Sequence, residues 1–468
     1  MEVSILSREI VKPSTLLPAQ LVEPLKLNLL DQLTPMSYSP LVLFYPNNNS
    51  AQSSSFRNIS NRLKWSLSEA LSLYYPMAGR VRDNYAIHDF DQGIPYLETH
   101  VKGHLSDLLT SSANASVLPK LNDFLPLPTF RRAPDSGPQV AVQLNAFECG
   151  GLALGICSSH KTHDGVAGSA FLRSWAAINA DHVQNVAHPS FEEGPLTFPP
   201  IKSMPRHYAS LTEDLWFGRG GEPVMTRRFV FGPESVAELR ERVKKKALEK
   251  YSTRAEAVSG FLWKSIIHAS NSGNPTLFTQ SVNLRRLTRP RLAKHSFGNL
   301  VLFSDSSYDH HHHGGNEQGA RVGELAMLVR KGVSEMDYDY VERLRGEEGS
   351  EAIFEYYERQ AEIEDGQTDV YNFSCWHGLD LTKTDFGWGP TVWVGLSTSG
   401  AGGGGDDDDD AVPYCSNSVV LMEDGRSKDG MEVWLTLEEP VMSALENDVE
   451  FLQFASSGSA ILPPTCAS

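Results

Sequence analysis

The sequence contains little cysteine. Its five cysteines are scattered, odd in number and never paired as CxxC: Cys149, Cys157, Cys375, Cys415 and Cys466. A disulfide framework is indicated by an even and larger number of cysteines, and a cysteine zinc site by paired CxxC spacing. The spacing therefore favours reduced thiols, of which those in predicted strands are buried.

The sequence also lacks an excess of positive charge and a long apolar run. Its 41 basic residues are outnumbered by 58 acidic ones, giving a net charge of −17, which argues against nucleic acid or an anionic membrane as a partner. No stretch has the ~18 uninterrupted apolar residues of a membrane span, and the N-terminus shows no secretory-signal pattern. We therefore expect a cytoplasmic protein, and its 468 residues predict two domains of roughly 200 residues each.

The first half of the chain carries clear strand and helix patterns. The apolar run at residues 39–46 predicts a strand, and the apolar spacing from Leu63 to Tyr74 predicts a helix that Pro76 ends. Two further strands, residues 140–147 and 152–157, are joined by a turn at Gly150-Gly151. Helical spacing from Val166 onward places the segment at 157–165 on a turn from a strand into a helix.

Prolines mark the middle of the chain. Six of them lie between His188 and Pro223, where they are expected to break any regular element, so this stretch is predicted to be a crossover. Beyond it, a strand, a charged helix and a second helix capped by Ser252 or Thr253 begin a new unit. The predicted domains are residues 1–200 and 225–468. They are joined by a predicted linker at 201–224, and the proline-rich stretch that includes it begins near residue 188.

Two segments of the second half have almost no apolar residues with which to pack. They are residues 309–319, which contain His310 to His313, and residues 397–410, which end in Asp406 to Asp410. Both are predicted to be exposed loops. Adjacent histidines cannot all converge on one ion, so no functional metal site is expected there.

The segment CSSHKTHDG, residues 157–165, brings His160, His163 and Asp164 together in the chain. Three interpretations are open at this point. The three side chains could bind a metal, although two histidines at i, i+3 without an HExxH pattern are an unspecific signal. One histidine could act as a general base, since a neutral imidazole accepts a proton at neutral pH. Taken alone, HxxxD also fits a structural histidine.

Three other segments change that balance. DFGWG, residues 385–389, places a glycine on each side of Trp388, so that the backbone turns tightly while a large ring is presented. QSVNLRRL, residues 280–287, presents arginines near a strand end. HSFGNLV, residues 295–301, contains a glycine-asparagine turn.

With these segments the sequence resembles the plant BAHD acyltransferases, a family defined by HxxxD near mid-chain and DFGWG near the C-terminus. The resemblance covers nearly the whole chain, including LNLLDQL, LYYPMAGRV and FECGGLALGICSSHKTHDG. It implies an α/β fold of two domains related to chloramphenicol acetyltransferase, each a mixed β-sheet with flanking helices. The active-site channel is expected at the domain interface, with acyl-CoA entering from one face and the acceptor from the other.

The resemblance also implies a role for each motif residue. His160 is expected to be the general base for direct attack on the thioester, without an acyl-enzyme. Trp388 is expected near the oxyanion of the tetrahedral intermediate, and Asp164 is expected to pair with Arg285. Structural roles at the site are expected for Asp164, Gly165, Arg285, Asp385, Gly387 and Gly389. His163 departs from the small or apolar residue usual in the family, and is either a second polar group facing the acceptor or a packed histidine.

An acidic chain needs a local site for the phosphates of CoA. By the resemblance, the CoA side is lined by Ser252, Thr253, Arg254, Ser296, Gly298 and Asn299. The basic stretch from Arg285 to Lys294 fits a phosphate-facing rim. No metal and no permanently bound cofactor is expected, because acyl-CoA is a co-substrate.

The expected function is transfer of an acetyl group from acetyl-CoA to a hydroxyl of an alkaloid-like plant specialised metabolite. The sequence SFGNLV, where flavonoid malonyltransferases of the family often have YFGNC, makes the chain look closer to the alkaloid O-acetyltransferases. The alternatives are a simple alcohol or an amine as acceptor, another acyl-CoA donor, or a non-catalytic metabolite-binding relative. A monomer is expected.

Overall fold

The structure, a computed structural model, describes residues 1–15, 23–46, 55–111, 118–129, 133–134, 136–217, 223–247, 252–309, 320–364, 367–396 and 417–457. The two predicted exposed loops, at 309–319 and 397–410, lie outside the described residues except for Asp309. The predicted strands and helices of the first half are present, and the hairpin turn lies at Gly150, which has a φ of 83°.

Two mixed β-sheets form the framework. The first has the order β1 (Glu2–Val11), β6 (Ile94–Lys102), β7 (Val140–Phe147), β8 (Leu152–Ser159), β3 (Tyr38–Tyr45), β13 (Trp393–Gly395). The second has the order β11 (Val301–Tyr308), β10 (Thr276–Asn283), β12 (Asp369–Cys375), β14 (Ser418–Glu423), β15 (Met431–Glu438), β9 (Val224–Phe231), β16 (Ala455–Ser457). A small third sheet joins β2 (Leu25–Lys26), β5 (Ala86–His88) and β4 (Arg80–Arg82). Parallel and antiparallel pairs occur in both large sheets.

Helices accompany each sheet. In the first half they are α1 (Leu29–Gln32), α2 (Phe56–Leu73), α3 (Leu105–Ser111), α4 (Gly165–Asn179), α5 (Glu193–Thr197) and α6 (Arg206–Phe217). In the second half they are α7 (Pro233–Ala247), α8 (Arg254–Ser270), α9 (Val322–Glu335), α10 (Tyr338–Arg343), α11 (Gly349–Glu364), α12 (Glu439–Glu446) and α13 (Val449–Phe454). Short 3-10 helices lie at Tyr75–Ala78, Leu118–Phe124, Val183–Asn185, Leu284–Arg286 and Leu381–Lys383. The predicted α/β fold of two mixed sheets with flanking helices is confirmed.

Each large sheet packs its own apolar core. One core joins the first sheet to α2 and α4 through residues such as Leu67 and Trp175, and the other joins the second sheet to α7, α8 and α9 through residues such as Phe261. A third cluster combines Leu29 of α1 with Leu300 and Tyr356 of the second half. The two halves are therefore in apolar contact next to α1.

The predicted domain boundaries stay a prediction, but one segment crosses between the sheets. β13 belongs to the stretch predicted as the second domain, yet it pairs with β3 of the first sheet, with Trp393 opposite Phe44. The rings of these two residues stack at a centroid distance of 5.2 Å. The C-terminal half of the chain thus supplies an edge strand to the N-terminal sheet.

The prediction that prolines break every regular element between residues 188 and 223 is wrong. α6 occupies residues 206–217 of this stretch. Pro205 comes directly before its first residue, where a missing N–H costs nothing, and no proline follows until Pro223.

Among the described residues, no helix combines the length and the apolar character that crossing a bilayer requires.

Candidate active site

His160 lies where β8 ends and before α4 begins. Its backbone N–H donates to the Ser37 carbonyl at 3.0 Å, which continues the pairing of β8 with β3 by one residue. Side chains alternate along a strand, so His160 projects to the same side of the sheet as Ser158. The imidazole therefore stands at the end of the strand, on the face that looks toward the second half of the chain.

Asn299 fixes the orientation and the tautomer of His160. Its side-chain N–H groups donate to the His160 carbonyl at 2.7 Å and to Asp31 Oδ1 at 3.0 Å. The amide oxygen is thereby left facing His160 Nδ1, at 3.2 Å. Because an amide oxygen only accepts, Nδ1 carries the proton and Nε2 keeps a free lone pair.

Asp31 anchors Asn299. Its carboxylate also accepts the backbone N–H of Asn299 at 2.7 Å and that of Asn28 at 2.9 Å, the latter within the capping box of α1. Burial raises the pKa of Asp31 to about 7, while the N–H groups of Asn299 and Asn28 act in the opposite direction. A carboxyl group from the first half thus holds the residue that orients the imidazole.

Burial lowers the pKa of His160 below its ordinary value, against the opposing effects of the Asp164 charge and the Asn299 hydrogen bond. The imidazole is therefore neutral at neutral pH. With Nδ1 bonded to Asn299 and Nε2 bonded to no other described residue, it is prepared to accept a proton.

Asp164 joins the two halves through its bonds to Arg285 and to the Leu300 backbone N–H. It caps α4 by accepting the backbone N–H groups of Val166 and Ala167 at 3.1 and 3.0 Å. It also pairs with Arg285 through two bonds of 2.7 and 3.0 Å, and both side chains are 2% exposed. Burial acts to raise the pKa of Asp164, but the Arg285 charge and the N–H donors lower it below its ordinary value. Asp164 is thus placed as a structural anchor.

Arg285 ties this anchor to the loop that carries Asn299. Its guanidinium donates to the carbonyls of Ser296 and Gly298 at 2.8 and 3.2 Å. Gly298 has a φ of 118°, in the region that favours glycine. The ion pair and the loop therefore position Asn299 beside His160.

His163 is buried with both ring nitrogens bonded inside the protein. Nε2 lies 2.5 Å from the Ser158 hydroxyl and Nδ1 lies 3.1 Å from that of Thr162. Burial, with the neighbouring His160, lowers the pKa of His163 to about 3. With Asp164 held by Arg285, the three side chains do not converge on a common point, and the described residues contain no cluster of metal ligands.

A cavity of about 360 Å³ opens in front of His160. This is within the usual range for small-molecule sites. One wall belongs to the first half and includes His160, His163 and Ser158, and the other belongs to the second sheet. The second wall carries many small polar side chains, among them Thr279, Ser281, Asn283, Asn372, Ser374 and Ser418. The cavity therefore lies between the two sheets.

α6 of the crossover closes part of this cavity. Leu215 and Trp216 line it, and the Trp216 ring meets the His160 ring edge-on at a centroid distance of 4.9 Å. The predicted linker therefore supplies an aromatic contact to the candidate base. The sequence alone did not predict the contact of Trp216 with His160. The spacing of apolar residues at 208–216, which includes this tryptophan, did indicate a helix with a buried face.

The structure does not bring Trp388 to His160, so that expectation requires correction. Trp388 packs against Tyr45 and Phe386 at centroid distances of 5.3 and 5.5 Å and is not among the cavity-lining residues. Tyr45 is the last residue of β3, whereas Ser37, the partner of His160, comes just before its start. Eight residues of extended strand separate them by roughly 26 Å. Trp388 has no contact with the reacting centre in this structure.

The DFGWG segment forms a tight turn attached to the first half. Asp385 Oδ1 accepts the backbone N–H groups of Gly387 and Gly389 at 2.7 and 2.9 Å, and both glycines have a φ of 91°. The Asn179 side chain at the end of α4 donates to the Phe386 carbonyl at 2.6 Å. Asp385 and the two glycines are thus placed as architecture. Gly165 starts α4 and lines the cavity.

The residues expected to line the CoA side divide into three groups. Asn299 lines the cavity but is committed to His160, as described above. Ser296 and Gly298 are buried and bonded within the protein, the Ser296 hydroxyl to Glu193, so direct contact with CoA is not open to them here.

The third group lies at the start of α8. Thr253 caps this helix, and Arg254 is partly exposed and bonded to His377 at 2.5 Å. The Ser252 hydroxyl is buried with no hydrogen-bond partner among the described residues. For Ser252, Thr253 and Arg254, contact with CoA stays a prediction. Arg285, the first residue of the expected basic rim at 285–294, is buried in its ion pair with Asp164. Only the other basic residues of this stretch can face solvent.

Comparison with known proteins identifies the class. A family model described as Transferase family matches residues 1–452. Epi-neemfruitin B 7-O-acetyltransferase of Melia azedarach is 34% identical, over 97% of this chain and 98% of the relative, and stemmadenine O-acetyltransferase of Catharanthus roseus is 30% identical, over 96% and 97%. The crystal structure of vinorine synthase has a TM-score of 0.76 and 27% identity, covering 97% of this chain and 99% of that one.

The protein is therefore an acyltransferase. It belongs to the Transferase family, the family of the BAHD acyltransferases, as its sequence motifs indicated.

Proposed function

We propose that this acyltransferase moves an acetyl group from acetyl-CoA to a hydroxyl of an alkaloid-like plant specialised metabolite, with His160 as the general base. The observation that carries the proposal is the free Nε2 lone pair of His160 at a cavity between the two sheets. The two relatives named O-acetyltransferases support the acetyl group and the hydroxyl acceptor.

The reaction follows from this geometry. His160 Nε2 takes the proton of the acceptor hydroxyl while its oxygen attacks the thioester carbonyl. The tetrahedral intermediate then collapses, the carbon–sulfur bond breaks, and the CoA thiolate leaves. The imidazolium returns the proton to the thiolate, so the products are the acetyl ester and free CoA. No covalent acyl-enzyme forms in this sequence.

A comparison of the two histidines supports His160 as the base. Both line the same cavity, but His163 has no free ring nitrogen and a pKa of about 3. His160 has a free ring nitrogen and a fixed tautomer. Its hydrogen bond to Asn299, which is itself hydrogen-bonded to the Asp31 carboxyl group, holds it in place. Proton transfer is therefore assigned to His160.

The acceptor hydroxyl must reach the thioester carbonyl carbon of acyl-CoA while both substrates are bound. The cavity lies between the halves, so an acyl-CoA and an acceptor can approach from opposite faces and meet at His160. The apolar wall around Leu41, Ile156 and Leu172 suits a large, mainly apolar acceptor. That the protein is a cytoplasmic monomer is part of the proposal.

The test is product formation. Purified protein is incubated with acetyl-CoA and a panel of hydroxylated indole and other alkaloids, limonoids and simple alcohols, and acetylated product and free CoA are measured by mass spectrometry. Equal amounts of ester and free CoA are expected with at least one polycyclic alcohol. The proposal would be overturned if only amine groups were acylated. It would also be overturned if no acceptor were acylated with acetyl-CoA or with other acyl-CoA donors.

A further inference from the structure

A second oriented group lies in the cavity beside the base. Ser158 lies two residues before His160 on the same side of the strand, and both residues line the cavity. Two residues along a strand span about 7 Å. The Ser158 hydroxyl is not used in the acyl transfer described above.

A chain of buried hydrogen bonds fixes the proton of Ser158. Gln139 donates its side-chain N–H to the Gly137 carbonyl at 3.3 Å, which turns its oxygen toward Thr162. The Thr162 hydroxyl donates to that oxygen at 3.0 Å and therefore accepts from His163 Nδ1 at 3.1 Å. His163 Nε2 is then the acceptor for the Ser158 proton, at 2.5 Å.

The chain makes Ser158 an acceptor toward the cavity. A hydroxyl has one proton and two lone pairs, and here the proton is committed to His163. Ser158 makes no other side-chain hydrogen bond among the described residues. Thr162, His163 and Gln139 are at most 3% exposed, so nothing in solvent competes for the chain.

We propose that Ser158 is a specificity-determining residue whose oxygen accepts a hydrogen bond from a second polar hydrogen of the acceptor, a hydroxyl or a protonated amine. This inference rests on the proposed function and names a feature of its substrate. Because Ser158 and His160 are spaced about 7 Å apart along the strand, the second group is several atoms away from the oxygen that is acylated.

The same geometry argues against a nucleophilic serine. An acyl-serine would require His163 to keep the proton of Ser158 as the new carbon–oxygen bond forms. Burial and the neighbouring His160 hold the pKa of His163 at about 3, so the imidazole stays neutral. The Ser158 proton therefore remains on its oxygen and the group acts in recognition.

The test compares two acceptors that differ by one polar hydrogen. trans-1,4-Cyclohexanediol has a second hydroxyl, and trans-4-methoxycyclohexanol has an ether oxygen at the same place. With acetyl-CoA, wild-type kcat/KM for the diol, halved for its two equivalent hydroxyls, is expected to exceed that for the ether by about tenfold. Ser158→Ala is expected to abolish this preference. Ser169→Ala serves as the control and is expected to retain it, because Ser169 lines the same cavity from α4 and does not lie beside His160 on β8.

Three results would overturn the inference: equal wild-type values, a preference that persists in Ser158→Ala, or an acyl adduct in the intact mass of the wild type that is absent from Ser158→Ala. If neither probe is acylated, their binding is compared by saturation-transfer NMR, where wild-type preference for the diol and its loss in Ser158→Ala are expected. Equal signals, or no signal from the diol, then overturn the inference. Failure of the whole acceptor panel overturns the proposed function instead, so the two failures are distinguishable.

Discussion

Replacing Asp164 with asparagine separates its structural role from a chemical one. Asparagine keeps the size of the side chain and still caps a helix well, so the start of α4 is retained. What is lost is the negative charge opposite Arg285, whose side chain is 2% exposed. Breaking one side of a buried ion pair costs about 3–5 kcal/mol, because the remaining charge is left unpaired.

This cost sets the size of the expected effect. At about 2–4 °C per kcal/mol for a unit of 150–250 residues, the Tm should fall by roughly 6–20 °C. Asp164→Ala, which also removes the cap, should cost about 1 kcal/mol more. The control is Asp380→Asn, which breaks the partly exposed pairs with Arg173 at 3.2 Å and with Lys383 at 2.5 Å, each of which should be worth less than about 1 kcal/mol.

The assay is differential scanning calorimetry of the three variants beside wild type, with activity measured below the lower Tm. The structural account requires a large loss of stability in Asp164→Asn and a small one in Asp380→Asn. An Asp164→Asn protein with the wild-type Tm but no activity would refute the reasoning, because Asp164 would then act in the chemistry.

Three further predictions concern the network around the base. Asn299→Ala should lower kcat about 10- to 100-fold in steady-state kinetics with the Tm changed less than in Asp164→Asn, since His160 loses its fixed tautomer; an unchanged kcat would contradict the assignment. The wild-type kcat should be constant above pH 7 and fall only below about pH 6.5, because the pKa of His160 is lowered; an acid limb centred above pH 7 would exclude this base. For Asp31 the folded pKa, about 7, exceeds the unfolded value of 3.8, so its contribution to stability declines as pH rises from about 4 to 7. In thermal melts the wild-type Tm should therefore fall relative to Asp31→Asn across that window, and parallel profiles would show that Asp31 does not titrate there.

Local patterns predicted the strand, turn and helix that carry the candidate base. The apolar run before residue 157 and the helical spacing after Gly165 locate His160 and Asp164 on a turn, because both signals depend only on near neighbours in the chain. A cap at Ser252 or Thr253 is predicted for the same reason; Thr253 is the cap, and its capping box with Glu256 is formed. The pairing of Asp164 with Arg285, 121 residues away, came from the family resemblance and not from spacing.

Contacts between residues far apart in the chain could not be predicted from the sequence. Asn299 was assigned to CoA, but it lies 139 residues from His160 in the chain and bonds to it directly. Asp31 had no assigned role, although it bonds to Asn299 across 268 residues. The expected place of Trp388 near the oxyanion came from the family resemblance, but packing against Tyr45 directs the ring elsewhere. Such contacts depend on how the two halves meet, which no local pattern reports.

The most direct test of the central claim is the rate of acyl transfer by His160→Ala beside wild type, with the acceptor that gives the most product. The variant should keep the wild-type Tm within about 2 °C, since it removes a side chain at a cavity, and lose about 10²- to 10⁴-fold in kcat. A folded His160→Ala protein that forms ester and free CoA at the wild-type rate would contradict the claim that His160 is the base.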